Sequence, residues 1–331
     1  MFNVNGHTAE GKLTPDDMLS GSQICAVLGR SPHMTPNKVL KRALDYLQGI
    51  EPPKLDFEAM HWGSTFELPV LNEVAQRLRL GNPKTKFEKA FFHKDFPFAV
   101  SLDGMVKGSG EVFTTDPSKN IYCVNADEIK LEGEGILEVK VTSHEVEDDL
   151  PDFRGRIQLQ AQMDAVQSAT GKPIRWGAVG VLYRGIQLRI FIFERDEKLI
   201  QEIRQAAVDF DLRVQKFRHN GEADWYDFVN GQDASEVFDD AKEDTIELSD
   251  KEEDLAQRII ELEQDIKDMQ LELEVHQAKI MARMGDYKYA NAGRYHVKWG
   301  KLNYKPQPAR TVPAKPARSI RVKKLRITEV R

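Results

Sequence analysis

Gly135-Ile136-Leu137-Glu138-Val139-Lys140, read with Leu102-Asp103-Gly104 upstream, is the stretch that decides the fold. Leu137 and Val139 alternate with Glu138 and Lys140 at a period of two. A strand here turns its apolar side chains to one face and sets a carboxylate beside an ammonium on the other. An Asp from a neighbouring strand would complete an acidic pocket for hard divalent cations, which prefer carboxylate oxygens, and Lys140 would add a positive charge beside it. Two metals about 4 Å apart can activate a water and stabilise the leaving oxygen of a phosphodiester. The same pattern also fits a half-exposed strand carrying an ordinary Glu/Lys pair, so the rest of the chain has to decide.

The 331 residues allow one main domain of about 200 residues with an appendage. Hydrophobic residues make up 40% of the chain without any run near the ~18 needed to cross a membrane. Met1-Phe2-Asn3-Val4-Asn5 lacks the basic and apolar regions of a signal peptide, so the expectation is a cytoplasmic protein with no membrane partner. The two cysteines, Cys25 and Cys123, cannot make a zinc or iron–sulfur ligand set and read as buried free thiols. A net charge of -6 does not suggest a protein that coats nucleic acid, but it averages over very uneven regions.

In chain order, Ser20 to Leu28 reads as a short helix with Ser22 at its N-cap, and Thr35-Pro36 opens a second that runs to Gln48. A longer helix spans Phe57 to Leu80, with Pro69 marking a kink or register break. Glu67 lies on it among apolar residues; a carboxylate buried there costs several kcal/mol unless paired or metal-bound, while one facing solvent costs nothing. Strands are expected over 86–93 and 96–106, a loop over 108–120, and strands over 121–129 and 136–141. A helix from Leu150 to Thr170 carries Gln158 and Gln162 on one face, where they could point at water, a metal-bound nucleophile or DNA. Arg175 to Tyr183 and Gln187 to Glu194 form a hairpin, and Asp196 starts a helix reaching Arg218.

This order gives an α/β domain over residues 1–220, with a central mixed sheet flanked by helices. An acidic linker follows over 221–249, with Trp225, Tyr226 and Phe228 as an anchoring segment. Residues 250–284 carry apolar residues at three-four spacing and read as a coiled-coil-like helix, able to zip with a second copy or pack on its own domain. Residues 285–331 hold a small hairpin and a basic, Pro-rich tail. In that tail Arg318, Arg321, Lys323, Lys324 and Arg326 could contact phosphates or merely solubilise the chain.

Several separated segments together resemble a known family. Ser22-Gln23-Ile24 with Leu28-Gly29, Trp62-Gly63-Ser64-Thr65-Phe66-Glu67, Leu102-Asp103-Gly104, Leu137-Glu138-Val139-Lys140 and Gln158-Leu159-Gln160 are similar to the ordered motifs of the YqaJ-like viral recombinase nucleases. These are relatives of lambda exonuclease in the PD-(D/E)xK superfamily. The resemblance implies that fold core and a magnesium-dependent exonuclease, with manganese as a substitute, that degrades one strand of linear duplex DNA by a two-metal reaction in phage-type recombination. It implies Glu67, Asp103 and Glu138 as metal ligands, Lys140 orienting or activating the attacking water, and Gln158 holding that water or the scissile phosphate. Ser22 matches a serine that in relatives contacts the 5′-terminal phosphate, and Gln160, in the Gln158-Leu159-Gln160 segment, is expected as a further DNA-binding residue. The implied polarity is 5′ to 3′; the Arg that relatives often carry before that serine is missing from Lys12-Leu13-Thr14-Pro15-Asp16-Asp17, which leaves 5′-phosphate recognition open. A trimeric ring, a single-strand annealing partner and the cytoplasm of a bacterial host are implied by the family alone. The alternatives are an endonuclease or repair nuclease on the same core, or a non-catalytic DNA-binding or scaffold protein.

Overall fold

The structure, a computed structural model, describes residues 13–50, 58–147, 149–238 and 240–301, and leaves the side chains of residues 59 and 60 undescribed. The elements in chain order are β1 (Leu19–Ser20), α1 (Gly21–Val27), α2 (Pro36–Leu47), α3 (Glu58–Arg77), β2 (Phe91–Phe92), β3 (Phe98–Val100), β4 (Gly104–Thr114), β5 (Ile121–Cys123), β6 (Glu128–Thr142), α4 (Arg156–Thr170), β7 (Trp176–Tyr183), β8 (Gln187–Glu194), α5 (Glu197–Asn220), α6 (Gly231–Val237), α7 (Asp250–Met284), β9 (Tyr289–Ala292) and β10 (Tyr295–Lys298). They divide into two compact units between Val237 and Phe238.

The first unit is built on a five-stranded sheet in the order β4-β6-β7-β8-β5. β6 pairs antiparallel with β4 and parallel with β7, and β8 pairs antiparallel with β7 and parallel with β5. This is the expected mixed sheet. Val70, Leu71 and Val74 of α3, with Leu78 just past its end, pack with Leu137, Val139, Ala178 and Ile190 on one face. On the other, Leu159 and Met163 of α4 and Ile203 of α5 pack with Ile136, Val179 and Phe191. The sheet is thus covered on both sides, so Glu138 is enclosed beneath α4 instead of half-exposed as a one-sided strand would leave it.

Local chemistry explains most element boundaries. Thr35 caps α2 by accepting a hydrogen bond from the Lys38 N–H at 3.2 Å, with Pro36 in the first turn. The cap of α1 is Ser20, not Ser22: Gln23 reaches back and accepts from both the Ser20 N–H and hydroxyl. This frees Ser22 from a capping role. Pro69 lies inside an uninterrupted α3.

Two sequence expectations fail at glycines. The loop expected over 108–120 is strand as far as Thr114, the end of β4, and only then a turn, and β6 starts at Glu128, eight residues before the strand expected at Ile136. A Cβ on Gly108 would stand 2.3 Å from the Leu131 carbonyl oxygen, and Gly110, at φ 107°, sits where the pairing shifts register between Ser109 and Glu111. These glycines serve close strand approach and a bulge, not a turn. The strand expected over 86–93 shrinks to Phe91–Phe92.

The first unit also extends past residue 220. Arg213 donates to the carbonyls of Asp224 and Trp225 at 2.8 and 3.0 Å and lies 4.0 Å above the Tyr226 ring. Asn37 pairs with the Tyr226 backbone, and buried Asp233 of α6 accepts from Thr35 and Asn37. The segment expected as a linker is therefore packed structure as far as Val237. In the second unit α7 is a single helix of 35 residues, opened by a Ser249/Glu252 capping box, and β9 pairs antiparallel with β10. Among the described residues no helix is long and apolar enough to cross a membrane.

Candidate active site

Glu138 projects from the middle of β6 with a relative exposure of 1%. Burying a carboxylate this deeply requires partners, and both oxygens have them. Lys140 donates to Oε1 at 2.6 Å, and the Gln162 amide donates to Oε2 at 2.6 Å. Gln162 also donates to the Ser101 carbonyl at 3.0 Å, tying the turn before β4 to the same carboxylate. Lys140 reaches Gln158 Oε1 at 2.9 Å, so two glutamines one helical turn apart on α4 hold the acid and the base of β6.

Asp103 precedes β4, one step beyond the pair Gly104 and Leu137, which places it across from Glu138 by continuation of the register. Its Oδ2 accepts the Val139 N–H at 2.9 Å. Burial and the charge of Glu138 push its carboxyl well above the usual carboxylate range, against the opposing pull of Lys140. Glu67, on α3, is raised for the same reasons: burial first, then Glu138. Burial pulls the Lys140 ammonium down, but Glu138 and Asp103 outweigh it and hold it above the ordinary lysine value. Lys140 is therefore a cation, and three carboxylates share it.

A cavity of about 520 Å³ opens onto this centre, lined by Ser20, Ser22, Glu67, Asp103 and Gln158 among others. Four expected site residues, Ser22, Glu67, Asp103 and Gln158, thus line one cavity, and a fifth and sixth, Lys140 and Glu138, adjoin it through the Lys140–Gln158 hydrogen bond. Gly155, at φ 113°, starts α4 where a Cβ would meet Val179 at 3.0 Å and Lys140 at 3.6 Å, so the missing side chain lets α4 begin against the site. The expected ligand set is not gathered into a cage: among the described residues no three His, Cys, Asp or Glu side chains are grouped to hold a metal ion. The chemistry of the donors nonetheless fits a hard divalent cation, being three oxygen acids with one compensating charge.

Gln160 is a correction. It is 1% exposed, its amide donates to the Glu194 carbonyl at 2.8 Å, and its oxygen accepts the Asp196 N–H at 2.9 Å. Both ends are consumed joining β8 to α5, and it does not line the cavity. Arg318, Arg321, Lys323, Lys324 and Arg326 lie outside the described residues. Sequence reasoning passed over Ser20 and gave Gln162 no settled role; the shared face of Gln158 and Gln162 was the available signal for the latter.

The molecule is thus a mixed α/β protein with a buried acid–lysine centre at the edge of a polar cavity. Residues 13–173, just under half of the chain, match the model of the YqaJ-like viral recombinase domain, the family that the motifs resemble. Similar solved structures include an alkaline exonuclease from Laribacter hongkongensis, at TM-score 0.39 and 14% identity over 62% of this chain and 93% of that one. A phage-related exonuclease from Haemophilus somnus 129PT is similar at TM-score 0.40 and 10% identity, over 62% and 96% of the two chains. No curated protein matches the chain in sequence.

Proposed function

We propose that this chain is a magnesium-dependent exonuclease that degrades one strand of linear duplex DNA, in the 5′ to 3′ direction, during phage-type recombination in the cytoplasm of a bacterial host. The observation that carries this reading is the convergence of Ser22, Glu67, Asp103 and Gln158 on one cavity beside the Glu138–Lys140 pair. Glu67, Asp103 and Glu138 would hold one or two ions, which when bound would supply an activated water and charge stabilisation for the leaving oxygen. Lys140, fixed by Glu138 and Gln158, orients the nucleophile and offsets phosphate charge. The Gln158 amide, whose oxygen is taken by Lys140, keeps its N–H groups for the water or a phosphate oxygen. Ser22, freed from capping, offers its hydroxyl to the terminal phosphate.

The basic tail over 305–331 would add phosphate contacts, and a single-strand annealing protein is the partner the family suggests. For α7 we propose self-association. Ile259, Ile266, Leu273 and Ile280 recur at one seam position and Leu255, Leu262, Met269 and His276 at the other, largely exposed, and the β-branched residues of the first position favour two parallel strands. The family suggests a trimer instead, and sedimentation of the full chain separates the two.

The test of the activity uses duplex DNA with a 5′-phosphate, a 5′-hydroxyl or a 3′ label, with and without magnesium. Release of label from linear ends, only with the metal, is expected. Cutting of a closed circular duplex would replace the exonuclease with an endonuclease.

A further inference from the structure

We infer that the β9–β10 hairpin is a docking site for single-stranded DNA. Between Gly285 and Lys301 the chain has four lysines and arginines, Lys288, Arg294, Lys298 and Lys301, against the single acid Asp286. The hairpin is closed by the two residues Gly293 and Arg294, with Gly293 at φ 58° taking the position that only glycine adopts freely. Register puts Tyr289 directly opposite Lys298, and Tyr295 opposite Ala292. Trp299 donates its N–H to the Lys288 carbonyl at 2.9 Å, which continues the pairing past β10.

Tyr289, Tyr295 and Trp299 are all exposed, at 60%, 60% and 44%. A pair of strands this short is marginal alone, and leaving three rings in water gives it nothing in return unless something stacks on them. Tyr295 and Trp299 lie on one face about 13 Å apart along the strand. Val297 lies between them on that face, beside Ala290 and Ala292 of the partner strand, and Tyr289 lies on the other face. Each tyrosine has a cation at its ring: Lys288 Nζ stands 5.2 Å from the Tyr289 centroid, and the Arg294 guanidinium 5.1 Å from that of Tyr295. A ring that accepts a base face next to a cation that accepts a phosphate is the chemistry of single-strand binding. Duplex DNA hides its base faces, and an acidic peptide would use the cations but not the rings. DNA is the strand assigned because residues 13–173 match a recombinase domain, so the choice of nucleic acid rests on the proposed function.

The inference does not depend on the cleavage reaction, so its test omits divalent cations. Full-length protein is titrated against a fluorescent oligothymidine of about 30 nucleotides and against a duplex of the same length, by anisotropy. The double variant Tyr295→Ala, Trp299→Ala should weaken single-strand binding by on the order of tenfold and leave duplex binding unchanged. Tyr295→Phe with Trp299→Phe should restore it, since a phenyl face still stacks, and Lys288→Ala with Arg294→Ala should flatten the salt dependence. Unchanged single-strand affinity in the alanine variant, an equal loss on duplex, or no recovery with phenylalanine would overturn the assignment.

Discussion

Three carboxylates, Glu67, Asp103 and Glu138, share one ammonium in the site, and the consequences can be measured residue by residue. Asp103 and Glu138 face each other across adjacent strands, a like-charge pairing that costs stability. Asp103→Asn, measured without divalent cations, is expected to raise the unfolding free energy by on the order of 1 kcal/mol while abolishing cleavage. Lys140→Met acts the other way, leaving Glu138 buried with an unpaired charge. A loss of about 2 to 3 kcal/mol in urea unfolding is expected, less than for a fully enclosed pair because Lys140 is partly exposed. At this scale the sequence was most legible where period and spacing act together: Gln158 and Gln162, four apart on one helix, both reach the acid–lysine pair. Gln160 looked equally available in the motif. Its burial depends on where α5 starts beneath α4, which no local pattern encodes.

Among elements, α4 is placed by its first residues. Gly155→Ala would put a methyl group against Val179 and Lys140 at a backbone angle that alanine rarely adopts. A loss of about 1–3 kcal/mol is expected, together with a fall in cleavage rate as Gln158 and Lys140 are pushed apart. In α7, Ile266→Asp puts a charge into the seam, and sedimentation of the full chain should move to a smaller species; an unchanged value means the helix does not pair. The helices were legible because caps and apolar spacing are local signals. β4 and β6 were not, because Gly108, Gly110, Gly133 and Gly135 look like loop punctuation until the partner strand is known. Gly135 lies where a Cβ would enter the Trp176 ring at 2.3 Å, a contact between residues forty positions apart in sequence.

For the whole molecule, Asp164 ties the layers together. It accepts from Arg195 at 2.6 Å and from Arg204 at 2.7 and 2.9 Å. Burial pushes its carboxyl up, but hydrogen bonds from His93, Arg204 and Arg195 outweigh this and hold it well below the usual range. A depressed folded-state pKa adds stability that is fully present above the unfolded value of about 3.9 and is lost as pH falls below it. Asp164→Asn should therefore destabilise the protein at neutral pH and flatten the acid limb of its stability curve. The central claim is that Asp103 and Glu138 are catalytic, and it is tested most directly by incubating Asp103→Ala and Glu138→Ala with end-labelled linear duplex and magnesium, with DNA binding measured in parallel. Both variants should bind DNA as the native chain does while cleavage falls by at least about a hundredfold; cleavage at the native rate in either would contradict the account.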